Sequence, residues 1–391
     1  MILAEGEIMK IPKKFFPIFL LGITSFITDL SSEMMMPLIP LFIVSLGGGG
    51  LVVGLAGGMG DSVASLLKVF SGYISDRVGK KKWLVMCGYT LSAFAKLIFP
   101  FAHSGYDVVG ARVLERVGKG IRTAPRDALV AGYTEEGERG KGFGIHRAMD
   151  TLGAVMGSFL AFVFLWVFLM DMRDVFLIGA IISFFSIIPL YFVKEIKTEK
   201  IKSKLFEGVA GLSAELKKFI LVASIFALGN FSYMFFILRA SIEFEDGIAT
   251  VVLLYILFNI SYAIFCVPAG SLSDRIGRRN SLLVGYIAFA ITCLLFSLSI
   301  SKLSLIPLFA MYGLSFAFIE TVERAFASDL CRRFERGTGL GAFHTSVGLC
   351  AFPASMIAGF LWEYSSYHAT FLWGAGCSIV ASLLLVSLVR E

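Results

Sequence analysis

The chain has 391 residues, 57% of them hydrophobic and 16% charged, with 38 Phe, 40 Gly and a formal net charge of +6. A mean hydropathy of +0.81 exceeds what the core of a water-soluble chain of this size takes up, so a soluble enzyme or soluble binding module is excluded. The basic excess follows from membrane topology and calls for no nucleic-acid partner.

A helix that crosses the hydrocarbon core needs about 20 mostly apolar residues. Twelve such runs are predicted in chain order: 15–46, 51–75, 83–102, 106–132, 143–169, 174–193, 217–239, 249–272, 281–300, 303–327, 340–361 and 367–388. The first and fourth carry several charges, so hydropathy alone should score them weakly. The first is too long for a cleaved signal peptide and is expected to stay as the first span. Met9 opens a basic start, MKIPKK, and competes with Met1 as the initiator.

Lys and Arg collect in alternate loops, at Lys10 to Lys14, Arg77 and Lys80 to Lys82, Arg139 and Lys141, 194–218, Arg275 to Arg279, and Arg332 to Arg336. The opposite loops offer little beyond Arg173 and Lys302. By the positive-inside rule both termini are cytoplasmic, in a multi-pass protein of the plasma membrane. None of the six cysteines falls in a CxxC pair, which implies neither disulfide nor metal.

Charges inside the spans are the candidate functional residues, because an ionisable group at membrane depth is costly. Span 1 places Asp29 and Glu33 four apart on one face, beside Thr28 and Ser32. Span 4 carries Arg112, Glu115, Arg116, Lys119, Arg122 and Arg126 at spacings of three and four, again one face, which must line a cavity or pair with neighbours. Its GKGIRT is not a phosphate loop, since Val113 stands where a Walker A sequence needs Gly. Span 5 offers His146, Arg147 and Asp150. Each buried acid is read either as half of a structural ion pair or as a proton- or substrate-coupling group. In the second half span 7 has Asn230, Tyr233 and Arg239, span 8 Asn259 and Tyr262, and span 10 Glu320, Glu323 and Arg324. Asp61 and Lys68 match Asn259 and Cys266 at the repeat spacing described next, so the charges were not kept in both halves. The N-terminal half is therefore expected to carry coupling and the C-terminal half more of the substrate's apolar contact. Met34 to Met36 and the many Phe offer adaptable apolar wall or plain packing.

SGYISDRVGKKK at 71–82 nearly repeats as AGSLSDRIGRRN at 269–280, pairing Gly72 with Gly270, Asp76 with Asp274, Arg77 with Arg275, Gly79 with Gly277 and Lys80 with Arg278 at an offset of 198. ERGKGFG at 138–144 returns as ERGTGLG at 335–341, at an offset of 197. The chain thus reads as two six-helix halves, 1–193 and 217–391, joined by a polar cytoplasmic linker at 194–216. Parallel halves of this kind build a carrier with its substrate site between them near the midplane.

G-x-x-x-D-R-x-G-K-K after the second of twelve spans, repeated after the eighth, resembles motif A of the major facilitator superfamily. The resemblance implies an all-α membrane fold of two pseudo-symmetric halves that rock in alternating access. It implies that Asp76 meets the start of span 11, that Asp274 meets the start of span 5, and that Asp127 is the acid for Arg77. These contacts would latch the cytoplasmic face and break when it opens. Arg112, Glu115, Gly118 and Gly120 resemble motif B of proton-coupled members, with Arg116 in place of its first Gly. Gly153 and Gly157 resemble the start of motif C of antiporters, with Ser158 in place of Pro, and equally resemble small-residue helix packing.

The leading expectation is a monomeric secondary transporter that couples protons to efflux of small amphipathic, drug-like compounds, resembling the drug:proton antiporter branch. Proton coupling falls to Asp29, Glu33, Arg112, Glu115 and Asp150. The substrate cavity falls to Arg116, Lys119, Arg147, Asn230, Tyr233, Asn259, Tyr262 and Glu320. A carrier of an anionic organic solute or metal chelate is the alternative, favoured by the cationic face of span 4. A transporter-like receptor or lipid scramblase would call for a long soluble segment. An enzyme is disfavoured because the sequence holds no HExxH, GxSxG or paired-Cys site, and no cofactor or bound metal is expected.

Overall fold

The structure, a computed structural model, describes residues 15–134, 139–196, 212–244, 247–298, 301–331 and 336–389. The side chains of Asp76, Arg139, Arg336 and Thr338, and most of the expected linker, lie outside the described residues. Fifteen α-helices assemble twelve spans, and no strand occurs among the described residues. Backbone in hydrocarbon must satisfy its own hydrogen bonds, which leaves helices as the spanning element.

The first span is α1 (Phe16–Met35) and α2 (Ile39–Ser45), broken where Pro37 and Pro40 interrupt the ladder. The N-terminal half continues with α3 (Gly50–Val78), α4 (Lys81–Lys96), α5 (Gly105–Gly132), α6 (Arg139–Trp166) and the pair α7 (Met172–Phe185) and α8 (Ile188–Phe192), parted before Pro189. The C-terminal half holds the pair α9 (Ala214–Gly229) and α10 (Met234–Glu243), then α11 (Ile248–Ile276), α12 (Arg278–Ser297), α13 (Leu305–Asp329), α14 (Arg336–Tyr364) and α15 (Tyr367–Leu388). Eleven of these spans are long and apolar enough to cross a membrane. The twelfth, α5, has the length at 28 residues but carries too many charges. The first span, expected to score weakly, qualifies but is, together with α14, the least apolar of the eleven.

Packing repeats across the halves. In the first, α1 packs on α6 and α7, α4 on α5 and α7, and α3 on α5. In the second, α9 packs on α14 and α15, α12 on α13 and α15, and α11 on α13, which is the same set of neighbours one half later. The pseudo-symmetric pair of six-helix bundles is therefore present in the contacts as well as in the sequence.

The halves meet mainly through α3 with α14, and through α6 with α11 and α2 with α10. The α3–α14 seam is closest at the end remote from the basic loops. There a Cβ on Gly54 would strike the Ser355 carbonyl, and one on Gly359 would strike that of Gly50. Small residues let two backbones touch in this way. Ser62 Oγ donates to the Gly348 carbonyl at 2.7 Å and receives the Phe352 amide at 3.0 Å. At the tip Glu363 receives the Leu51 amide at 2.9 Å, a carboxylate on the first turn of α3. That end is closed.

At the basic end the motif A glycines do a different job from close approach. Gly79 (φ 70°) and Gly277 (φ 91°) take backbone angles that favour glycine and end α3 and α11. Among the described residues, neither the expected contact of Asp274 with the start of span 5 nor the expected Arg77–Asp127 pair occurs. Asp274 pairs with Arg278 of its own half at 2.7 Å, and Arg278 reaches on to Asp329 at 3.0 Å. Asp127 takes Arg126 at 3.0 Å in place of Arg77, which is exposed and turns to Tyr73. The expected contact of Asp76 lies outside the described residues. Arg77 and Asp127 belong to the same half, so that exchange of partners is local, and the resemblance itself implies that the cross-half contacts are broken when the basic end is open.

Candidate functional site: a charged cavity between the halves

Two turns of physical chemistry place the site. Charged faces cannot look at lipid, so α1, α5 and α6 turn theirs inward, and α11 and α13 of the other half close the opposite wall. The result is a cavity of about 440 Å³ lined by Asp29 and Glu33 of α1, Lys68 of α3, Lys119, Arg122, Arg126 and Asp127 of α5, Arg147 and Asp150 of α6, Asn259 and Tyr262 of α11, and Arg324 of α13. It continues toward the basic end as a space of about 700 Å³ that adds Phe143, His146, Cys266 and Glu320. Arg126 and Arg324, equivalent at the repeat offset, line it from opposite halves.

The three acids of α1 and α6 are in one place. Asp29, Glu33 and Asp150 line the same cavity. Asp150 Oδ2 receives Arg147 at 3.4 Å, while its Oδ1 is buried with no donor among the described residues. Glu33 Oε2 receives the Tyr255 hydroxyl of the opposite half at 2.9 Å. His146 closes the floor, its Nε2 3.0 Å from Ser25 Oγ, which also meets Tyr89 and receives Arg126 at 3.1 Å.

Deeper on α5 the charges pair off and leave the wall. Arg112 meets Glu115 at 3.1 Å and both are buried; Arg116 meets Asp61 of α3 at 3.4 Å. Lys96 of α4 is 1% exposed and donates to Ser31 and Ser32, each at 2.9 Å, and to the Thr28 carbonyl at 3.3 Å. Arg112 and Glu115, named from the sequence as coupling candidates, therefore belong to a packed network and do not line the large cavity.

A second space of about 340 Å³ adjoins toward the closed end, lined by Met36, Asn230, Phe231, Tyr233, Tyr255, Phe258, Tyr312 and Phe316, with the Arg116–Asp61 pair and Glu320 also on its wall. Phe258 stacks on Tyr312 at 4.5 Å and on Tyr262 at 6.5 Å. Tyr233 donates to the Met36 carbonyl at 3.1 Å and lies 3.0 Å from its sulfur, which also receives Arg112 at 3.1 Å. Glu320 pairs with Arg324 at the cavity edge. Glu323 faces away, buried in its own half against the Tyr286 hydroxyl at 2.7 Å. Arg239 is buried near the closed end, paired with Glu243 at 2.9 Å, outside both cavities.

Sequence reasoning missed Tyr255 and Lys96. Tyr255 lies four residues before Asn259 and seven before Tyr262, one face of α11, and that spacing was the available signal. Gly153 and Gly157 of the antiporter-like motif lie against the backbone of α1 at Phe26 and Leu30, which is a packing contact.

Twelve spans in two pseudo-symmetric halves around a central polar cavity define a secondary carrier. The profile of the Major Facilitator Superfamily matches residues 21–247 and 219–391, and the chain belongs to that family. It is 46% identical over 375 residues to the MFS-type transporter MJ1317 of Methanocaldococcus jannaschii, covering 94% of each chain. The multidrug resistance protein MdtH of Cronobacter sakazakii is 33% identical over 147 residues, 37% of this chain and 36% of that one. Among solved structures the nucleoside transporter NupG superposes with a TM-score of 0.79 at 15% identity, covering 95% of this chain and 98% of that one. The peptide transporter POT in complex with sulfate gives 0.78 at 13% identity, covering 99% and 96%. Those two likenesses establish the fold. Membership in the family makes the chain a membrane carrier and not an enzyme.

Proposed function

We propose that the chain moves small amphipathic solutes out of the cell in exchange for protons, the halves 1–193 and 217–391 rocking about the linker 194–216 in the plasma membrane. The basic loops then face the cytoplasm, as the positive-inside rule requires, and the cavity opens to that side. The observation that carries the reading is that Asp29 and Asp150 line one cavity between the halves, with Asp150 Oδ1 buried and without a donor among the described residues. Ionisable groups at membrane depth that face a cavity mark proton paths, and a buried carboxylate oxygen without a donor is a place where a proton can be taken up. A proton held there when the cavity faces one side and released when it faces the other couples its gradient to the rocking motion. The partial likeness to multidrug resistance proteins favours outward transport.

Proteoliposomes with an imposed proton gradient test this, using a panel of amphipathic cations and anions and a trapped pH dye. Solute movement should drive proton movement, and Asp29→Asn or Asp150→Asn should leave downhill solute exchange while abolishing the proton signal. Transport that persists unchanged after the gradient is collapsed would sink the coupling.

A further inference from the structure

The charge of the large cavity is not balanced by its own wall. Six cations line it, Lys68, Lys119, Arg122, Arg126, Arg147 and Arg324, against four carboxylates. Most of the cations are engaged: Arg126 with Asp127, Arg147 with Asp150, Arg324 with Glu320, and Arg122 with Ser92 while lying over the Tyr89 ring at 4.5 Å. Lys68 and Lys119 are not. Both side chains are exposed to the cavity, and neither has a carboxylate within ion-pair distance among the described residues. Both line the same cavity, from α3 and α5, two helices that pack closely where Gly120 lies against Leu67 and Ala64. Across the cavity Asn259 Nδ2 is a buried donor with no acceptor among the described residues. Three donors without acceptors therefore face one space, and the aromatic chamber of Phe258, Tyr312 and Phe316 adjoins it.

An uncompensated ammonium in a cavity with low-dielectric walls is costly alone, and the field it sets up concentrates anions and repels cations. We propose that the transported solute is a small amphipathic organic anion, its acidic group received by Lys68, Lys119 and Asn259 and its apolar body laid in the aromatic chamber. This rests on the carrier reading above and narrows its substrate class to organic acids, excluding cationic amphiphiles. Stacking and desolvation hold the body, and the two lysines choose the sign of the head.

The test is equilibrium binding to the purified full chain in detergent, with no gradient, using three probes of one shape: 2-naphthoate, 2-naphthamide and 2-naphthylmethylammonium. Titration calorimetry should show the naphthoate binding at least tenfold more tightly than the amide, and the ammonium no more tightly than the amide. Lys68→Gln with Lys119→Gln should weaken naphthoate at least tenfold and leave the amide unchanged, while Lys119→Arg, which keeps the charge, retains naphthoate binding and controls for folding. Absence of naphthoate binding, equal binding of the three, preference for the ammonium, or indifference of naphthoate to the double substitution overturns the assignment. Failure of proton coupling is separate: a protein that binds naphthoate but moves no protons keeps this inference and loses the other, and one that exchanges protons for the ammonium does the reverse.

Discussion

Glu33 and Tyr255 form a single hydrogen bond, but they sit on opposite halves and stand between the charged cavity and the aromatic chamber. Such a bond is made only while the halves meet above the cavity, so it acts on the balance between states more than on the stability of either half. A phenol bonded to a buried carboxyl contributes about 1–3 kcal/mol, and Tyr255→Phe should shift the equilibrium away from the far-closed state by roughly 5–150-fold. Labelling of a cysteine introduced as Leu51→Cys, with a membrane-impermeant maleimide applied from the far side, should accelerate in the Tyr255→Phe background; an unchanged rate would remove the bond from the gate. Lys96 is the contrasting residue. Its three oxygen partners all come from α1 of the same half, so it ties α4 to α1 and has no contact that rocking would break.

At the scale of helices, much was legible because each signal was local. Apolar runs gave the spans, and the spacing on α5 placed its charges on one inward face; the break in the first span was not read, although Pro37 and Pro40 were there to mark it. The break between α9 and α10 has no proline to mark it, and the pairings that make the site join residues about 100 to 300 positions apart: Ser25 with His146, Glu33 with Tyr255, Ser62 with Gly348. Periodicity says which face is polar and is silent on what lies opposite. That is also why Arg112 and Glu115, on the right face of α5, turned out to pair with each other below the cavity. Gly54 shows how an element-scale contact controls the gate. Its bare Cα lets the Ser355 carbonyl approach, and a larger side chain must push α14 away or strain the seam by about 1–3 kcal/mol. Spin labels on the far ends of α3 and α14 should therefore report a longer mean distance in Gly54→Leu than in the parent; an unaltered distance distribution would show that the seam yields without moving the helices.

The whole molecule divides its labour unequally between halves that pack alike. The N-terminal half supplies most of the cavity charge from α1, α5 and α6, whereas the C-terminal half supplies the aromatic residues of the adjoining chamber from the break between α9 and α10, from α11 and from α13. The symmetric part is the frame, including the motif A turns at Gly79 and Gly277, and the asymmetric part is the cargo site. Substitutions should separate accordingly. Asp274 is held by Arg278 within its own half while the basic end is open. If the rocking motion proposed above carries it to the first turn of α6, the carboxylate there would favour the positive helix end by roughly 0.3–1 kcal/mol and accept its free amides. Asp274→Asn removes the charge without changing the shape, and it lies far from Lys68, Lys119 and the aromatic chamber. Transport assayed in proteoliposomes should then show a maximal rate lowered several-fold, with half-saturation and the order of preference among solutes unchanged. A shift in preference with the rate preserved would place Asp274 in cargo selection and count against a division of the molecule into symmetric frame and asymmetric site.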